Sequence, residues 1–218
     1  MKRSPHPEQP RDALGWRRKF GVIAPSTNTI VQPDLDDAIA SVMTCEPDYL
    51  VMGISALSFF GGTKGADGFA KRIGDNTGLG VTIGSHAMAA AIAAMGGIKR
   101  IAVLTPYWPT MNAEVRRYFG DAGLAVVRDM ALECTSWTGI AAVTTGECRD
   151  AIRRLDGDDV DAVVQVGTNL SMVRLAAAAE LWLGKPIIAI NAAIYWHALR
   201  ANGIGDRIAG FGRLLEEH

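Results

Sequence analysis

Short β-branched runs alternate with alanine-rich stretches along most of this chain. The runs Phe20–Ala24, Tyr49–Ile54, Val81–Ile83, Ile101–Leu104, Ala125–Arg128, Ala162–Val166 and Ile187–Ile190 are apolar at successive positions, the pattern of strands buried on both faces. Helical spacing predicts helices over Leu35–Met43, Ala66–Asn76, Ser85–Met95, Thr110–Ala122, Glu147–Arg154, Leu170–Trp182 and Ala192–Ala201. Gly78, Gly96, Gly123 and Gly203 follow several of them closely, as glycine does at helix C-termini. The alternation predicts parallel sheet joined by right-handed crossovers.

The pattern is written twice. Residues 77–98 read TGLGVTIGSHAMAAAIAAMGGI, and residues 183–204 read LGKPIIAINAAIYWHALRANGI. Each is a Gly-marked turn, a β-branched run, a small polar residue (Ser85, Asn191) and a helix ending in Gly-Ile. Phe20-Gly-Val-Ile-Ala-Pro25 matches Ile101-Ala-Val-Leu-Thr-Pro106, and Leu50-Val-Met-Gly-Ile-Ser55 matches Val163-Val-Gln-Val-Gly-Thr168. The expected fold class is therefore α/β: two pseudosymmetric, doubly wound (Rossmann-like) parallel-sheet halves. A ligand crevice between them would face the strand C-terminal ends.

The expected division is an arm over residues 1–14, a first half over residues 15–98 with 205–218, and a second half over residues 99–204. Three prolines in the first ten residues predict disorder in the arm. The halves are unequal, because Val22 to Gly53 spans 31 residues and Val103 to Gly167 spans 64, a shortfall of 33. The longer interval holds the Leu124–Met130 strand and the helix after it. The first half is accordingly expected to lack one strand–helix unit between Pro33 and Cys45.

Composition narrows the classes. Hydrophobic residues make up 49% and charged residues 21%, as in an ordinary globular protein. A net charge of −1 gives no pull toward nucleic acid or membrane, and no basic stripe with interleaved aromatics occurs. No apolar run reaches the roughly 20 residues of a membrane span. The opening MKRSPHPEQPRD lacks the apolar segment of a secretory signal. Cys45, Cys134 and Cys148 fit no zinc spacing, and their odd number argues against a disulfide framework. The expected setting is reducing and cytoplasmic.

Several segments resemble a known family. Gly21-Val-Ile-Ala-Pro-Ser-Thr-Asn-Thr29 is similar to the first strand and turn of maleate cis–trans isomerases. Leu50-Val-Met-Gly-Ile-Ser-Ala-Leu-Ser-Phe-Phe60, Leu104-Thr-Pro-Tyr107 and Gly210-Phe-Gly-Arg-Leu-Leu-Glu216 resemble arylmalonate decarboxylases. Both groups belong to the aspartate/glutamate racemase superfamily, and the resemblance runs from about Lys19 to Glu216. It implies two pseudosymmetric α/β halves, no cofactor, and cysteines at the ends of the third strand of each half. Racemases use both cysteines, maleate isomerases use one as nucleophile, and arylmalonate decarboxylases keep the second as proton donor. Here the first position falls at about Ser55-Ala56 and the second at Gly167. Neither is cysteine.

Candidate site residues follow from strand ends and side-chain chemistry. Ser26, Thr27 and Asn28 offer hydroxyl and amide donors suited to a carboxylate, or a helix cap after Pro25; the resemblance carries Asn28 over as a ligand residue. Ser55, with Ser58 in the same turn, offers a hydroxyl and an N–H to an oxyanion, or is a satisfied loop residue. The resemblance places Tyr107 against a substrate carboxylate, where its phenol could stabilise an enediolate; the alternative is a core aromatic. Gly167, Thr168 and Asn169 can supply backbone N–H groups to an oxyanion hole without any side chain. Asn191 opens the last long helix as a cap or a ligand. His86 sits in the first turn of a helix, and histidine is the usual acid or base near neutrality; it is a candidate for the proton that cysteine no longer supplies, or a packed residue. Cys134 precedes a loop that could cover the crevice. Cys45 reads as structural and His197 as a surface residue.

The reading these residues favour is a cofactor-independent carbon-acid enzyme on a small dicarboxylic acid, nearest to an arylmalonate-decarboxylase-like lyase, with Tyr107, Ser55 and His86 as its catalytic set. A maleate-isomerase-like enzyme is the alternative within catalysis, and the missing cysteines count against it because nucleophilic addition needs an activated nucleophile. A lapsed paralogue that only binds a small carboxylate is the alternative outside catalysis. No metal is expected. The partner is a small dicarboxylate, with neither nucleic acid nor membrane, and a homo-oligomer through the helices stays open.

Overall fold

The computed structural model describes residues 18, 20–23 and 39–218. The expected arm, Ser26, Thr27, Asn28 and residues 35–38 of the expected 35–43 helix lie outside the described residues; residues 39–43 are helical. Seven strands form two parallel sheets. The first has β1 (Phe20–Ile23), β2 (Tyr49–Met52) and β3 (Val81–Thr82), in spatial order β1-β2-β3. The second has β4 (Arg100–Thr105), β5 (Ala125–Ala131), β6 (Ala162–Gln165) and β7 (Ile187–Ala189), in order β5-β4-β6-β7.

The registers carry the repeat into three dimensions. Val22 pairs with Val51, and Val103 pairs with Val164, so strands matched in sequence are matched in pairing. β1, β2 and β3 therefore correspond to β4, β6 and β7. The strand β5 lies outside β4, with a bulge between Ile101 and Ala102. Among the described residues the first sheet has no counterpart to it.

Long helices cover the sheets: α1 (Gly62–Thr77), α2 (Gly84–Met95), α3 (Pro109–Asp121), α5 (Thr145–Leu155), α6 (Val173–Leu183) and α7 (Ile190–Ala201). A capping box starts α5, where Thr144 and Glu147 each bond the other's backbone N–H. Two short helices, α4 (Trp137–Ile140) and α8 (Arg213–Glu217), and a 3-10 turn over Ala56–Phe59 lie between and after them. Helix α1 starts four residues ahead of its expected position, and α6 starts three residues late.

The halves dock through apolar surface. Helix α2 packs on α7. Phe59 of the 3-10 turn meets Tyr118 edge-on, with ring centroids 5.1 Å apart, and lies 5.8 Å from Phe119 of α3. All of β6 and all of β4 but Arg100 are buried. The C-terminal segment is tied to second-half helices: buried Glu180 of α6 accepts the Arg213 and Ile187 N–H groups, and Arg200 of α7 donates to the His218 carbonyl.

Candidate functional site

Four loops leave strand C-terminal ends of the two halves and converge. Ser55 follows β2, Tyr107 follows β4, Thr168 follows β6, and Asn191 lies in the first turn of α7 beyond β7. In the second sheet β4 and β6 flank the point where strand order reverses, which is where doubly wound sheets place ligands.

The centre is a pair of hydroxyls. Ser55 Oγ lies 2.9 Å from the Tyr107 phenol oxygen, and the two residues are 2% and 5% exposed. The Thr168 backbone N–H donates to the same Ser55 Oγ at 3.1 Å. A first-half side chain is thereby clasped by two donors or partners of the second half. The Thr168 hydroxyl crosses the seam in the other direction and donates to the Gly53 carbonyl at 2.8 Å. Burial pushes the Tyr107 phenol up to about 12, and its bond to Ser55 works against that rise.

Each member has its own support. The Asn191 amide donates to the Thr168 carbonyl at 2.9 Å, and the Gln165 amide donates to the Gly167 carbonyl at 2.8 Å. Ser58 Oγ donates to the Ser55 carbonyl at 2.7 Å and accepts the Ser85 N–H at 3.0 Å. The turn before Tyr107 is held by Thr105, whose hydroxyl donates to Asn112 Oδ1 at 2.8 Å. Asn112 in turn bonds Asp129, which Arg116 pairs. Such chains fix rotamers and so preorganise the groups they support. The Ser85 hydroxyl is buried without a hydrogen-bond partner among the described residues; burial also pushes the Tyr118 phenol up to about 12, against an opposing pull from Ser85.

The cysteine-free turn has a backbone reason. Gly167 has φ +117°, and a Cβ built there would stand 2.5 Å from Pro106 Cδ and 2.6 Å from Pro106 Cγ. The space a side chain would need is filled by the Pro106 ring. Gly84 is tight for another reason, since a Cβ there would meet Ile190 Cδ1 at 3.1 Å and Ser55 Cβ at 3.2 Å.

A loop over residues 132–140 is tied to this site at two points. The Trp108 indole N–H donates to the Cys134 carbonyl at 3.1 Å, and the Asn169 amide donates to the Trp137 carbonyl at 2.8 Å. Cys134 lines a cleft of about 290 Å³ with Leu132, Thr135, Val143 and Glu147, and none of Ser55, Tyr107 and Thr168 lines it. Burial pushes the Cys134 and Cys148 thiols up, which disfavours the thiolate form.

Three cysteine and histidine expectations are placed by the structure. His86 Nε2 lies 3.0 Å from Asp67 Oδ1 of α1, and it is not among the contacts of the Ser55–Tyr107–Thr168 group. His197 was expected at the surface and is instead half-buried, with Nδ1 2.8 Å from Thr82 Oγ1. Burial, with the nearby His86, holds its imidazole below the ordinary value. It follows buried Ala193 and Ile194 by four and three positions, so it shares their face of α7. Cys45, expected to be structural, is exposed in a turn. Gln165 and Asn112 were missed. The signal for Gln165 was available, as a lone amide inside an otherwise apolar strand. Among the described residues, no group of three or more His, Cys, Asp or Glu is placed to hold a metal.

The sequence profile of the arylmalonate decarboxylase family matches residues 44–215. The chain belongs to that family. It is 27% identical to the arylmalonate decarboxylase of Bordetella bronchiseptica over 170 residues, covering 77% of this chain and 70% of that protein. It is 25% identical to the maleate isomerase of Alcaligenes faecalis over 121 residues, covering 55% of this chain and about half (47%) of that one. Among solved structures, Nocardia farcinica maleate cis-trans isomerase, as a cysteine-to-serine mutant with a covalently bound succinylcysteine intermediate, superposes with a TM-score of 0.84 at 20% identity, covering 92% of this chain and 99% of that one. An arylmalonate decarboxylase structure gives 0.80 at 22% identity, covering 91% and 99%. These likenesses establish the two-half fold. The homologues are decarboxylases and isomerases, and among the described residues no helix is long and apolar enough to cross a membrane.

Proposed function

We propose that this protein is a carbon-acid enzyme acting on a small dicarboxylic acid, and that its reaction is decarboxylation of a substituted malonate. The observation that carries this reading is the meeting of Ser55 Oγ, the Tyr107 phenol and the Thr168 N–H, drawn from both halves at strand C-terminal ends. Neutral donors converging in a buried setting suit an enediolate, the charge that develops when a malonate loses carbon dioxide. One substrate carboxylate would be held by the backbone N–H groups of Gly167 and Asn169, with Asn191 bracing that turn and the one O–H that the Ser55–Tyr107 pair leaves over facing the reacting carbon. The other would leave as carbon dioxide from apolar surroundings that disfavour its charge. The scheme uses no cofactor. The isomerase alternative is weakened by Gly167, because a nucleophilic thiol has no room beside Pro106.

The test is proton NMR of the purified protein in D2O with phenylmalonate, methylmalonate and maleate. Loss of a malonate with deuterium at the product α-carbon is the expected result. Conversion of maleate to fumarate would move the protein to the isomerase alternative. Binding of all three without turnover would leave a carboxylate-binding protein.

A further inference from the structure

We propose that the Ser55–Tyr107 hydroxyl pair is itself the proton donor that completes the reaction, in place of a thiol; this rests on the malonate decarboxylase reading. The pair holds one hydrogen more than its own bond uses. Each hydroxyl carries one hydrogen and two lone pairs. The 2.9 Å bond between the two oxygens spends one hydrogen of the pair, whichever oxygen donates. The Thr168 N–H fills a lone pair of Ser55 and takes no hydrogen from it. One O–H is therefore unspent, and no described residue accepts it.

Its chemistry balances. The bond from Cα to the departing carboxylate breaks, and its electron pair stays as the enediolate. The unspent O–H gives its proton to Cα, forming the new C–H bond. The hydrogen shared between Ser55 and Tyr107 shifts across to refill the donor if that donor is Ser55, so the charge ends on Tyr107 as phenolate. The phenolate takes a proton from water, and the hydroxide left combines with carbon dioxide as bicarbonate. The carbanion of a carboxylate is a far stronger base than a phenolate or alkoxide, so an acidic thiol is not needed to drive the transfer. Burial favours the neutral phenol, which speeds recapture of the proton. The Thr168 N–H stabilises negative charge on Ser55 Oγ while the proton is away.

A donor fixed on one side of the substrate delivers to one face. The experiment uses methylphenylmalonate, whose product is chiral, and reads two things: malonate loss and the enantiomer ratio of the product. The unaltered protein is expected to give one enantiomer in about tenfold excess, the ratio for 1.4 kcal/mol of facial bias. Ser55→Ala and Tyr107→Phe are each expected to slow malonate loss by about 10²–10³ and to give racemic product. The rate of the unaltered protein is expected to stay flat from neutrality to about pH 10, where a histidine donor would already be deprotonated. Malonate loss with racemic product from the unaltered protein overturns the donor assignment alone. So does selectivity retained in both hydroxyl variants, or lost in His86→Ala while they keep it. No loss of any malonate overturns the decarboxylase reading and the donor assignment together.

Discussion

Placing a cysteine at position 167 is the direct test of why the turn lacks one. Gly167 has φ +117°, a conformation that costs an L-residue about 1–3 kcal/mol. Its Cβ would stand 2.5 and 2.6 Å from two Pro106 ring carbons, and overpacking of this kind costs about 1–3 kcal/mol more. The backbone is not free to rotate away, because the Gly167 carbonyl accepts from the Gln165 amide at 2.8 Å and the Leu170 N–H at 3.1 Å. The two penalties sum to about 2–6 kcal/mol. At this chain length each kcal/mol moves the melting temperature by roughly 2–4 °C, so Gly167→Cys and Gly167→Ala should melt roughly 5–20 °C lower. The assay is thermal unfolding followed by circular dichroism under reducing conditions, with maleate turnover measured on the same samples. A melting temperature unchanged within about 2 °C, less than about 1 kcal/mol here, would refute the steric account. So would fumarate production by Gly167→Cys, since the turn would then present a working thiol.

Other expectations follow from the same geometry. Tyr107 and Tyr118 are both held neutral by burial, with phenols raised from 10.0 to about 12; the stability this gives is complete below pH 10 and is lost as pH rises from 10 to about 12, about 2–3 kcal/mol for each. Urea unfolding at stepped pH should show that decline, and Tyr107→Phe should remove about half of it; a decline unaltered by the substitution would contradict the assignment. Asn169→Ala cuts the bond to the Trp137 carbonyl, at about 1 kcal/mol of stability, and should raise KM severalfold with kcat little changed; an equal fall in kcat would show the tether acts on chemistry. Gly84→Ala should press Ser55 out of line, since its Cβ would sit 3.2 Å from Ser55 Cβ. Steady-state rates should fall about tenfold to hundredfold, as misplacements of up to about 1 Å can cause, while unfolding free energy falls by no more than about 2 kcal/mol.

The architecture was largely legible from the chain. Matching Phe20–Pro25 with Ile101–Pro106, and Leu50–Ser55 with Val163–Thr168, anticipates the shared Val22–Val51 and Val103–Val164 registers. Helical turns of four or five residues were not anticipated: the Ala56–Phe59 turn, Trp137–Ile140 and Arg213–Glu217 are too short for a helical period to register. At the site, strand-end position pointed to Ser55, Thr168 and Asn191, and the family resemblance pointed to Tyr107. Partner choice was not legible, because Thr168 with Gly53 and Ser55 with Tyr107 are set by how the halves dock. The same limit explains His197, whose exposure depends on Thr82 of the other half.

The Thr168–Ser55 bond joins residues 113 apart in sequence, and Ser55–Tyr107 joins residues 52 apart. Closing such long loops is entropically costly and slow, and each half must first have paired its own strands to aim these groups. Assembly of the hydroxyl pair is thus expected late in folding. If that order holds, recovery of ligand binding after dilution from denaturant should trail recovery of the far-ultraviolet signal; simultaneous recovery would contradict it.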